Sequence, residues 1–209
     1  IFTKLIFCLF GVYVWEIFQT SGFEWSLITR SRRFSWPLVL IFFLCRYCML
    51  LALIGLIVAL NDTSPINCAA LYTFNSITGN LAILCASGSL MIRTAALWNK
   101  KRPILVALGV LAIAQWAILW RGMFVVETIF SPEAKGCVIL KTNHVFMNIS
   151  FFTTMGVDLV VLILTVVALG QKKIHSHLWK LLFQDGLVYF CITFLCNAVP
   201  AILNVLDLN

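Results

Sequence analysis

Eight cysteines, two charges set deep in apolar runs and a histidine-bearing basic turn are the places where this chain could do chemistry. Six of the cysteines (Cys8, Cys45, Cys48, Cys85, Cys191 and Cys196) lie inside long apolar runs, where a thiol acts as a small buried hydrophobe. Cys45 and Cys48 make a C-x-x-C, but within a membrane helix that spacing resembles neither a redox nor a zinc site. Cys68 and Cys137 lie outside the runs. They can form a disulfide if both face an oxidising compartment.

Arg46 and Asp158 fall about ten residues into one apolar run and near the centre of another. A lone charge at that depth costs about 2.5–3.5 kcal/mol on insertion scales, so both are expected to face the inside of a bundle or to find partners. Two roles stay open: an Arg–Asp or Arg–backbone clasp between helices, or a polar cavity for ligand, ion or proton. Asn75 and Asn80, with Ser87 and Ser89, give a third run a polar stripe, and Asn197 is a further intramembrane polar candidate. Hydrogen bonds across helices are the ordinary use of such groups.

Signals for catalysis are poor. There are three histidines, and His175 and His177 share a turn with Lys172 and Lys173 that reads as facing anionic lipid rather than holding a metal. The sequence has no H-E-x-x-H, G-x-S-x-G, P-loop or carboxylate cluster. Neither enzymatic activity nor a cofactor or metal is expected. Lys4 is the one lysine within an apolar run, so a retinal Schiff base would need a segment beyond this chain.

The elements that position these residues follow from composition. Of 209 residues, 62% are apolar and 11% charged, with a mean hydropathy of +1.01. Soluble domains are about 45–50% apolar and about 25% charged. The expected fold is therefore an all-α polytopic membrane protein, a single bundle over 1–209. The net charge of +7 marks sides of a bilayer and does not suggest nucleic acid. Six runs are long enough for the roughly 20 residues that cross a bilayer: about 1–20, 36–60, 69–97, 104–127, 144–169 and 181–206.

The first, third and fifth breaks carry three Lys or Arg each, and the second and fourth carry two between them. The excess of bases on the cytosolic side puts the first set in the cytosol and the N-terminus outside. On this reading 23–35 is the first cytoplasmic turn, with Trp25 and Trp36 at headgroup depth, and Pro37 and Pro103 open helices, where a missing N–H costs nothing. Cys68 and Cys137 then both lie on the oxidising side, one before the third helix and one in the fourth-to-fifth loop. Their pairing is expected, and heptahelical receptors staple the same two elements. Arg93 and Asp185 fall near cytoplasmic ends of the third and sixth helices, as an ionic lock or an interfacial pair, without an Asp-Arg-Tyr. Pro200 is expected to kink the sixth helix. The chain opens without methionine and its six helices would end outside, so a seventh helix is expected beyond residue 209.

The stretches "FEWSLITRSRRFSWPLVL", "CRYCMLLALIGLIVALN", "INCAALYTFNSITGNLAI", "RTAALW", "GCVI" and "DGLVYF" together resemble a family of integral membrane proteins of mushroom-forming (basidiomycete) fungi. The resemblance covers most of the chain. It implies a multi-span, heptahelical, receptor-like protein whose members continue into a further hydrophobic segment, and it carries over no catalytic residue. The leading reading is a receptor-like protein of the plasma membrane or secretory pathway that senses a small or lipidic ligand. A transporter or lipid-handling protein, with Arg46 and Asp158 lining a path, is the alternative. So is an accessory subunit that packs beside a membrane-protein partner or a second copy of itself.

Overall fold

A computed structural model describes residues 2–29, 36–61, 67–99, 101–123, 127–131, 136–141 and 144–171. The expected sixth span, with Asp185, Asn197 and Pro200, lies outside the described residues. The order of elements is α1 (Phe2–Ile28), α2 (Trp36–Asn61), α3 (Cys68–Leu97), α4 (Arg102–Gly122), β1 (Glu127–Ser131), β2 (Gly136–Lys141) and α5 (His144–Gln171).

All five described helices contain a stretch long and apolar enough to cross a membrane, which is compatible with a membrane protein. The shortest of the five spans, Arg102–Gly122, has 21 residues. At 1.5 Å per residue it is about 32 Å long, against a hydrocarbon core of about 30 Å. Large apolar side chains point outward, with Phe18 72% and Ile113 67% exposed. In water such faces would drive association; against lipid they cost nothing.

Local chemistry sets the helix ends. Trp36 and Pro37 begin α2, and Arg102 and Pro103 begin α4, as expected. Asn67 caps α3: its Oδ1 accepts from the Ala70 N–H at 3.2 Å, and its backbone carbonyl accepts from Leu71 at 3.2 Å. At the other end of α3, Asn99 takes a left-handed conformation (φ 52°), which asparagine tolerates and which stops the helix.

Helix α1 departs from expectation. The first span ends not near residue 20 but at Ile28, so Glu24 and Trp25 belong to a helix rather than to a turn. The hydroxyls of Thr20, Ser21, Ser26 and Thr29 explain this, since each donates to a carbonyl three or four residues back, at 2.7–2.8 Å. Their polarity is absorbed by the helix and does not break it.

The contacts divide the chain into two compact units. One holds α1, α2, α3 as far as Ser89, and the strands. Strands β1 and β2 pair antiparallel, with Phe130 opposite Cys137, and β2 lies against α2. This hairpin occupies much of the expected fourth-to-fifth loop. The other unit holds α3 from Leu90, α4 and α5. Met91, Leu108, Val157 and Val161 form its core, with Ile104, Leu111 and Leu164 against them. The Thr94 and Thr165 hydroxyls meet at 2.8 Å, and the Trp98 indole N–H donates to the Leu164 carbonyl at 3.0 Å, tying α3 to α5.

Candidate functional site

The densest polar cluster among the described residues lies between α1 and α2. Tyr13, Ile17, Thr20 and Glu24 follow one another at intervals of four, three and four, which places them on one face of α1. Arg46 comes from the facing side of α2. Its Nε lies 3.0 Å from Glu24 Oε1, and the two side chains are only 10% and 9% exposed. That contact is an ion pair, since no hydrogen bond is directed at Oε1.

One further nitrogen of the guanidinium, Nη2, is held through α1. Arg46 Nη2 donates to the Glu16 carbonyl at 3.1 Å and to Thr20 Oγ1, and Thr20 passes the chain on by donating to the same Glu16 carbonyl at 2.7 Å. The Tyr47 hydroxyl donates to Glu24 Oε2 at 3.0 Å, and the Tyr13 hydroxyl to the Arg46 backbone carbonyl at 3.0 Å. One turn before Arg46, the Phe42 ring centroid lies 5.7 Å from the guanidinium carbon, within cation–π range. The Arg46–Glu24 pair is neutral. A charge that would be costly in lipid alone is held by one carboxylate, one hydroxyl, one carbonyl and one ring.

Of the two clasps left open, Arg–Asp and Arg–backbone, the second is present at the Glu16 carbonyl. The carboxylate that meets Arg46 is Glu24, which the polarity of 23–35 assigned to a turn. Asp158 is half-buried on α5. Tyr13, Thr20, Glu24 and Tyr47 were not among the expected site residues. The 13-17-20-24 spacing was the signal that could have found them.

The other candidates fall as follows. Cys68 and Cys137 are joined by a disulfide with Cα atoms 5.6 Å apart, so β2 is fastened to the first turn of α3. Asn75 faces Gly55 of α2 so closely that a Cβ at position 55 would collide with the amide. Among the described residues the Asn75 Oδ1 and Nδ2 are buried without a hydrogen-bond partner. Asn80 is half-buried on α3 and Arg93 is exposed near its end. No family model, no curated protein and no solved structure matches the chain.

Proposed function

We propose that the chain is a receptor-like integral membrane protein, of six helices or of seven with a following segment, that senses a small or lipidic ligand. On this reading the N-terminus and the β1–β2 hairpin are extracytoplasmic, in the plasma membrane or secretory pathway, and the chain performs no catalysis.

The observation that carries the reading is the Cys68–Cys137 bridge in a chain of apolar helices. It pins the hairpin to the start of α3, so that the hairpin can act as a fixed lid at one end of the helices. A bridge of this kind also calls for an oxidising compartment. The resemblance to fungal receptor-like proteins points the same way. The Arg46–Glu24 clasp suits a protein that must keep α1 in register with α2 while other helices shift.

The test uses the full chain in lipid nanodiscs. Mass spectrometry of denatured samples should recover a co-purifying small molecule or lipid, and adding it back should raise the melting temperature saturably. Reduction of the disulfide should weaken that response. Flux of the recovered molecule across reconstituted vesicles would replace the sensing role with transport. A stoichiometric protein partner and no small molecule would replace it with an accessory role.

A further inference from the structure

We propose that the α3–α4 turn is a binding site for the phosphate of an anionic phospholipid headgroup, built on Trp98, Lys101 and Arg102. The inference requires that the chain span a membrane; it does not depend on the sensing role.

Backbone hydrogen bonds hold both sides of the turn. The Trp98 N–H donates to the Thr94 carbonyl at 3.1 Å and the Asn99 N–H to Ala96 at 3.1 Å, after which the left-handed Asn99 reverses the chain. The Lys101 N–H then donates back to the Trp98 carbonyl at 3.2 Å, and the Lys101 carbonyl accepts from Ile104 and Leu105, both at 3.1 Å, to start α4. Trp98 cannot swing freely, because its indole N–H is held by the Leu164 carbonyl of α5. Lys101 lies over that ring, its Nζ 5.6 Å from the centroid. The ring thus directs the ammonium without neutralising it.

Among the described residues, no carboxylate is paired with this charge. Lys101 and Arg102 are both exposed. The sequence 99–102 holds three bases and no acid, and the first turn of α4 carries no acid. Among the described residues of this unit Asp158 is the one carboxylate, and it lies six residues before Leu164, about 9 Å along α5 from the carbonyl that holds Trp98.

Depth selects the lipid headgroup over a soluble anion. Helix α4 is only 21 residues long, about 32 Å, so if it crosses a core of about 30 Å, Lys101 and Arg102 at its start fall at the hydrocarbon edge. A tryptophan at such a boundary sits at headgroup level, and long basic side chains reach the phosphates while their stems stay in apolar surroundings.

The experiment is native mass spectrometry of the full chain, released from micelles containing phosphatidylcholine and phosphatidylinositol 4-phosphate in equal amounts. Wild type should retain the anionic lipid in preference. Each basic residue near an anionic surface is worth about fivefold in affinity, so Lys101→Gln with Arg102→Gln should weaken retention about 25-fold. Both side chains are exposed, so the fold should persist, and an unchanged melting temperature would verify this. Trp98→Phe, which removes the indole donor that orients the ring, should cost a smaller part of the preference. Equal retention by wild type and the double variant would overturn the proposal, as would a wild type that does not discriminate against phosphatidylcholine. Displacement of the lipid by inorganic phosphate would also overturn it, by assigning the turn to a soluble anion.

Discussion

Replacing Glu24 with leucine leaves Arg46 facing an apolar side chain where it now has a carboxylate oxygen 3.0 Å away. Both partners are about nine-tenths buried, so solvent screens the pair little. Removing one member of a buried pair typically costs about 3–5 kcal/mol. Two features put the expected loss at the lower end. Arg46 keeps the Glu16 carbonyl and Thr20 Oγ1 as acceptors, and its stem can carry the head toward the nearer interface. Tyr47 also loses an acceptor, which adds about 1 kcal/mol unless its hydroxyl reaches another group. The expected cost of Glu24→Leu is therefore about 3–4 kcal/mol. Arg46→Met combined with Glu24→Leu should return to within about 1 kcal/mol of wild type, because an apolar replacement of a whole buried pair is often neutral. The assay is a double-mutant cycle on unfolding in mixed detergent micelles, followed by helical circular dichroism. A Glu24→Leu protein within about 0.5 kcal/mol of wild type, or a double variant whose loss is the sum of the two single losses, would refute the clasp.

The clasp is only one of the contacts open to substitution. Gly55→Ala should destabilise by about 1–3 kcal/mol, because its Cβ would strike Asn75, and Asn75→Ala in the same chain should recover most of the loss in a thermal melt. Cys68→Ser should lower stability by up to about 4 kcal/mol on chain-entropy grounds, and less where the helices are already inserted; non-reducing peptide mapping of wild type should recover the two cysteine peptides linked. Thr94→Val should cost about 1 kcal/mol by removing the hydroxyl pair with Thr165, and it should add little to Thr165→Val in a cycle.

Much of the helical architecture is legible from residue type. Apolar length gives five of the spans, and proline at the second residue gives the starts of α2 and α4, since a helix can do without that N–H. The end of α1 is not legible in the same way. Thr20, Ser21 and Ser26 look like breakers by composition, yet each bonds to its own helix, and this depends on rotamers rather than on residue type. That error hides the site, because a Glu24 placed in a turn cannot be matched with Arg46. The hairpin is not legible from the sequence, where 128–143 reads as a loop between two apolar runs. The contact of Asn75 with Gly55 is a pairing of distant positions, and one sequence alone does not encode it in any local pattern.

The central claim of a receptor-like orientation is tested most directly by sided labelling. Single cysteines introduced at Ala134, between the two strands, and at Asn99, in the α3–α4 turn, would be probed with a membrane-impermeant maleimide on sealed cells, in a chain whose free cysteines have been replaced and whose Cys68–Cys137 bridge is kept. The account predicts that position 134 labels from outside and that position 99 labels only after permeabilisation. Labelling of both positions from the same side, or of position 99 alone from outside, would contradict it.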